Sequence, residues 1–335
     1  NFLLKKQKEN FDNVIHTPSK SVNKLNILRI NSFNNKDKPK IFFKILHISN
    51  FGIKNDHRLF NLSIANKLSK GLIRNGHDVL NFDYRDFLSR FFNTNSIDKK
   101  ILSISNNYKP DLILLGHNNI LNRETLLFLR KNLKCKIALW YEDHVIKGDP
   151  NYISNIRLIE KNNDLIDNYF ITTSPDIVKT IIKKDKIDFL PIPVDPNIEN
   201  GKFYEFAKTK DLFFALSHGV NYGRLKKTTN DNRVKFIKDL LTKSNDSLNF
   251  HFLGLFGEQP KWNYDFNKEL SISKTALNLS RGGPNKYASS NRIATLMGNG
   301  ILPFIDEKVK YQDFFDNDEI ITYKDSFDLF SKLSS

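Results

Sequence analysis

The chain has one cysteine, Cys135, in 335 residues. No internal disulfide can form, a cysteine-built metal site is excluded, and a reducing compartment fits. Long apolar runs are also missing, since no stretch reaches the roughly 20 residues that a membrane-spanning helix needs. Acidic residues are scarce beside basic ones, 37 Asp and Glu against 52 Lys and Arg, giving a formal charge of +15. Several motifs are absent too. There is no Walker loop, no G-x-S-x-G elbow and no G-x-G-x-x-G after the first strand, and the last absence argues against a dinucleotide oxidoreductase. Zinc-finger spacing, RNP-like aromatics and a helix-turn-helix pattern are missing as well, so no nucleic-acid partner is indicated.

What is present starts with size. The length exceeds one ordinary core, and 39% hydrophobic residues suffice to pack two. The chain does not begin with Met and stops within an apolar pattern (Phe327, Leu329, Phe330, Leu333), so a segment of a longer protein is expected. Residues 1–44 hold ten Lys/Arg and three Asp/Glu, or +7 of the charge. Residues 1–40 read as a weakly ordered basic arm. Two readings of the basic balance stay open: codon bias toward Lys and Asn, or attraction to nucleotide phosphates, acidic glycans or an anionic membrane face.

From Ile41 strands and helices alternate. Strand Phe42–Ile48 precedes a helix from Arg58 to Asn75, stopped by Gly76. Strands follow at Asp78–Phe82, Asp111–Leu115, Lys136–Tyr141, Asn168–Thr172 and Ile187–Leu190, with helices at Arg123–Asn132, Ile153–Lys161 and Asp176–Lys183. The proline-rich stretch 191–196 is the best domain boundary. A second alternation takes in Asp211–Leu216, helix Asn232–Lys243, Leu248–Leu253, helix Asn267–Ser273, Ala276–Ser280, a helix from Asn291, Ile301–Ile305, Ile320–Tyr323 and helix Ser326–Leu333. Near-continuous apolar strands between helices make parallel sheets covered on both faces. The expected fold class is therefore α/β, with two Rossmann-like domains, 41–195 and 196–335, facing a cleft.

In such sheets ligands bind beyond the carboxyl ends of the strands. That rule picks out Asn50 and Gly52, His117, Glu142-Asp143-His144 and Thr173-Ser174 in the first domain. In the second it picks out His218 to Arg224, Gly254 to Gly257, and Arg281 to Ser290. Asp143, His144 or His117 could act as a general base, and each could equally order a loop. His47 lies inside a strand and reads as a core histidine. Arg281-Gly282-Gly283-Pro284 leads into a helix start capped by Ser289 or Ser290, a loop-to-helix arrangement whose N–H groups suit an anion. Arg224, Arg281, Lys286 and Arg292 would present cations to a diphosphate, arginine as a fork and lysine as a point charge. No metal-ligand spacing is present.

Three stretches together resemble the GT-B glycosyltransferases, in particular the spore-maturation-type group with a glycosyl-transferase-1-like C-terminal domain. They are N-R-I-A-T-L-M-G-N-G-I-L at 291–302, F-L-P-I-P-V-D at 189–195 and Y-F-I-T-T-S-P at 169–175. Many retaining members carry a glutamate in the helix of the first stretch, whereas no acid lies between Asn291 and Gly300 here. The resemblance implies a nucleotide-sugar donor in the C-terminal domain, held by His218, Arg224, Arg281, Gly282, Gly283, Lys286, Ser290, Asn291 and Arg292. It implies a glycan, lipid-linked or protein acceptor on the N-terminal side, and no cofactor or metal. The expectation is a cytoplasmic glycosyltransferase, with the basic arm near an anionic membrane face. Two alternatives remain at this point: a nucleotide-sugar epimerase of the same fold, and a non-catalytic nucleotide- or glycan-binding module.

Overall fold

The computed structural model describes residues 42–51, 63–91, 95–116, 120–145, 147, 151–179, 187–216, 220–221, 224–225, 232–244, 248–280 and 282–335. The first sheet contains β1 (Lys44–Ser49), β2 (Asp78–Asp83), β3 (Leu112–Gly116), β4 (Lys136–Tyr141), β5 (Asn168–Ile171) and β6 (Ile187–Phe189). Its order is β2-β1-β3-β4-β5-β6, parallel throughout. Between the strands run α1 (Ile64–Arg74), α2 (Tyr84–Phe91), α3 (Asn95–Tyr108), α4 (Arg123–Leu133), α5 (Tyr152–Glu160) and α6 (Pro175–Lys179).

Alternation along the strands decides which layer each side chain joins. Leu46 and Ile48 of β1 and Ile137, Leu139 and Tyr141 of β4 face the layer holding Ile101, Leu126, Leu129 and Ile159 from α3, α4 and α5. Ile45, Ala138 and Trp140 point the other way, toward Ile64, Leu68 and Leu72 of α1. Both faces are therefore dry, and each fully buried Leu or Ile contributes roughly 1.5–3 kcal/mol. His47 shares the α1 face. It is fully buried, with Nδ1 2.7 Å from Ser69 Oγ, and burial lowers its pKa to about 3. It is a core residue, as its place within a strand suggests.

The second sheet holds β7 (Lys210–Ala215), β10 (Phe250–Leu253), β11 (Ser273–Asn278), β12 (Leu302–Asp306) and β13 (Ile321–Tyr323), ordered β10-β7-β11-β12-β13 and parallel. A small antiparallel pair, β8 (Val220–Asn221) and β9 (Arg224–Leu225), stands apart. The helices are α7 (Asn232–Ser244), α8 (Asn263–Ser271), α9 (Asn291–Gly298) and α10 (Ser326–Ser334). In each sheet the first strand lies between its next two neighbours in the chain, so each has a switch point, at β1/β3 and at β7/β11.

Helices α2 and α3 fall where the sequence reading assigns no element. Phe87 and Leu88 of α2 and Ile97, Ile101, Leu102, Ile104 and Tyr108 of α3 pack at helical spacing, but in α3 Ser and Asn fill many of the other positions and weaken the propensity signal. The helix expected from Arg58 begins at Ile64 among the described residues, because residues 52–62 lie outside them. The basic arm also lies outside the described residues.

The segment between the sheets is tightly bound. Asp195 is buried and accepts from Arg74 Nη1 at 3.1 Å and from Asn197 N at 3.0 Å. Ile192 and Ala294 join the α1 face of the first domain's core, so that apolar layer runs unbroken into the second domain. No helix among the described residues is long and apolar enough to cross a membrane.

Candidate functional site

A cavity of about 400 Å³ opens between the carboxyl ends of the two sheets. Ile64, Glu142, Asp143, His144, Asn151 and Asn155 form its first-domain wall. Arg233, Leu279, Ser280 and residues 289–292 form the opposite wall, with Ile192 between. A larger cavity of about 470 Å³ lies behind the linker, walled by Pro191, Pro193, Ile293, Met297, Phe314 and neighbours. Size favours the second. Chemistry favours the first, because the lining of the second is almost wholly apolar and its two hydroxyls are engaged, Ser289 Oγ accepting from Ile192 N and Tyr311 donating to the Ala288 carbonyl.

On the first-domain wall, Glu142 to His144 follow β4 directly. Asp143 is exposed to the cavity. His144 Nε2 lies 2.9 Å from the Ser289 carbonyl. A carbonyl only accepts, so Nε2 carries a proton. The His144 carbonyl in turn accepts from Asn155 Nδ2 at 3.2 Å. His144 thus spans the two domains, while the Asp143 carboxylate faces the cavity.

Opposite stands the start of α9. Ser290 is its N-cap, with extended backbone at φ −134°, and Oγ accepts from Ile293 N at 3.4 Å. The first-turn N–H groups of a helix have no acceptor within it, and the dipole end is positive. The far end closes in a Schellman turn: Gly300, at φ +76°, donates to the Met297 carbonyl, and Ile301 donates to that of Leu296. Gly300 supplies the left-handed conformation that the turn requires.

Arg292 occupies the switch point of the second sheet. Nη1 donates to the Leu279 carbonyl at 2.6 Å and Nη2 to that of Ala215 at 3.2 Å, at the ends of β11 and β7, while the guanidinium stacks over Phe214. It ties together the ends of two neighbouring strands. Its charge is thereby fixed at the cavity wall. Arg233, buried on the first turn of α7, adds a second cation to the same wall.

The loop before α9 does other work than its glycines suggest. Gly282 and Gly283 take φ of +77° and +101° and line neither cavity. Lys286 pairs with Asp176 at 3.3 Å and sits over the Tyr287 ring, away from the cleft. Tyr287 N donates to Val309 O, Ala288 N to Asn285 O and Ser289 N to Thr172 O. These N–H groups are spent on protein, and the loop serves as a bridge: Ser174 N also reaches Lys286 O, and Ile192 N reaches Ser289 Oγ at 2.9 Å. Every polar atom of Ser289 therefore contacts the first domain or the linker.

The cavity thus gathers Asp143, His144, Ser290, Asn291 and Arg292 from the sequence-derived set. Asn50 ends β1, its carbonyl 3.5 Å from Ser63 Oγ, and is not on the cavity wall. His117, His218, Arg281 and Gly52 lie outside the described residues, as does the side chain of Arg224. Arg233, Asn151 and Asn155 escape sequence reading because they sit on or beside helices, where polar residues ordinarily face water. The i, i+4 spacing of the two asparagines was the only signal available.

Comparison with solved structures separates one further possibility, that two unrelated Rossmann domains merely abut. The catalytic domain of starch synthase IV from Arabidopsis thaliana, bound to ADP and acarbose, superposes with a TM-score of 0.53 at 11% identity, covering 88% of this chain and 92% of that one. The chain has the GT-B fold. Sucrose-phosphate synthase from Thermosynechococcus elongatus gives 0.51 at 9% identity over 87% of this chain and 89% of that one. The α,α-trehalose 6-phosphate synthase of Burkholderia multivorans gives 0.51 at 12% over 88% and 90%. Residues 232–335 match the family described as glycosyl transferase-like. No curated protein sequence matches the chain. In a GT-B molecule the cavity lined by Asp143 and Asn291 is the cleft between the domains.

Proposed function

We propose that this protein is a glycosyltransferase that moves a sugar from a nucleotide-diphosphate donor to a hydroxyl of a glycan, lipid-linked or protein acceptor. One observation carries the reading: a carboxylate at the end of β4 faces, across one cavity, a capped helix start flanked by Arg233 and by Arg292, whose guanidinium two carbonyls hold. The diphosphate would lie against the first turn of α9, near Ser290 and Asn291, in the field of Arg233 and Arg292. The match of residues 232–335 to a glycosyl transferase-like family supports placing the donor on this half. The ADP bound to the starch synthase domain of the same fold supports a nucleoside diphosphate as the ligand class.

In the proposed step Asp143 takes the proton of the acceptor hydroxyl, and the freed oxygen attacks the anomeric carbon. The bond from that carbon to the diphosphate breaks, and its electron pair leaves with the diphosphate. A single displacement of this kind inverts the anomeric centre. The proposal gives the base role to Asp143, whose carboxylate faces the cavity, and to His144 the tie across the domains through its Nε2–H and the Ser289 carbonyl. The two arginines and the helix dipole stabilise the developing negative charge, so the proposed chemistry requires no metal. The proposal places the reaction in the cytoplasm, with the basic arm toward an anionic membrane face.

The test is nucleoside diphosphate release from a panel of nucleotide sugars, with candidate acceptors. Asp143→Asn should lower turnover by about 10²-fold or more, the usual worth of a positioned base, while leaving diphosphate affinity near that of the parent. Turnover within a few-fold of the parent would remove Asp143 from the mechanism.

A further inference from the structure

Lys67 is buried, at 1% exposure, in the middle of α1. A buried ammonium is costly unless paired and hydrogen-bonded. It is held by Glu199 of the linker through a short, fully buried ion pair. Nζ also donates to Asn291 Oδ1 at 2.9 Å. Glu199 is itself engaged on its other oxygen, which accepts from Asp195 N at 2.8 Å. One side chain of the first domain therefore grips the linker and the first residue of α9 together. Holding the domains together would not demand this arrangement, because a buried ion pair is often no more stabilising than apolar residues of the same volume. Ile64, Leu68, Ile192 and Ala294 already supply that apolar contact nearby.

We infer that Lys67 is a positioning residue for donor binding: it fixes the Asn291 side chain, and with it the start of α9, against the first-domain wall of the cleft. The inference rests on the reading above, in which that helix start holds a diphosphate. Asn291 lines the cavity and Lys67 does not, so Lys67 acts through Asn291.

The experiment is calorimetric titration with UDP, ADP and GDP of the parent, of Lys67→Met/Glu199→Gln, of Asn291→Ala and of the triple variant. The double change removes both buried charges at once, and the amide oxygen of the substituted glutamine keeps an acceptor for Asp195 N. The fold should therefore persist, with a melting temperature close to the parent's. Diphosphate affinity should nevertheless fall about tenfold, the scale of one charge-assisted hydrogen bond. Asn291→Ala should lose a similar factor, and the triple variant should lose no more than Asn291→Ala alone, because both routes remove one contact. Unchanged affinity in the double variant, or losses that multiply in the triple variant, would overturn the assignment. Should the double variant not fold, unchanged affinity in Asn291→Ala, at a partly exposed helix start, overturns it as well. A parent that binds none of the three diphosphates sinks the reading of the cleft, and the role of Lys67 with it. That outcome is distinct from a parent that binds while the variants bind equally well.

Discussion

Arg292 shows how one side chain can serve the fold and the site at once. Two backbone carbonyls and the face of Phe214 hold its guanidinium, so it enters the proposed reaction already oriented, with little reorganisation left when the diphosphate arrives. Sequence alone marks it as a cation after a glycine loop; its service to the ends of β7 and β11 appears only once the sheet order is known. His47 illustrates the opposite case, a titratable residue that belongs wholly to the core. Its folded pKa of about 3 lies below the ordinary value of 6.5, so the unfolded chain binds the proton first. Its contribution to stability is fully present above pH 6.5 and is lost as pH falls from there toward 3. In that window the slope approaches about 1.4 kcal/mol per pH unit. Denaturant melts between pH 7 and pH 4 should show this loss, and His47→Gln should flatten it. A variant with an undiminished slope would assign the acid sensitivity to other groups.

At the scale of elements, α9 concentrates the account. Its cap, its Schellman turn and the apolar run that follows are all legible in 289–305, because capping is local chemistry. The loop before it is not. Glycines and cations at 281–286 suit a phosphate cradle, yet Ser289 and Lys286 bond to the first domain, a choice made by residues more than a hundred positions away. Helices α2 and α3 go unread for a different reason: α2 has only 8 residues, and the helical periodicity of α3 is diluted by serine and asparagine. The far end of α9 carries its own test. A Cβ on Gly298 would lie 2.6 Å from Glu199 Cβ and 2.8 Å from Val194 Cγ1, so the linker must shift to admit it. Gly298→Ala should cost about 1–3 kcal/mol by overpacking, read from a denaturant melt. Stability equal to the parent's would mean that the linker yields freely and that helix and linker are not tightly coupled.

For the whole molecule, the two-domain plan follows from the alternation of strands and helices, and the proline-rich stretch marks where it turns. How the halves meet was not readable. Lys67, Glu199, Ser289 and His144 sit in four separate parts of the sequence, and nothing local distinguishes a buried lysine from a solvated one. Their meeting makes the cleft one surface, with acceptor chemistry proposed for one wall and phosphate chemistry for the other. Starch synthase IV, sucrose-phosphate synthase and trehalose 6-phosphate synthase share the GT-B plan at 9–12% identity. The most direct test of the central claim is a calorimetric titration of the unmodified protein with UDP, ADP and GDP beside uridine, adenosine and guanosine. At least one diphosphate should bind about tenfold or more tighter than its nucleoside, because the helix start and the arginines address the phosphates. Equal affinities for diphosphate and nucleoside, or no binding of any diphosphate, would contradict it.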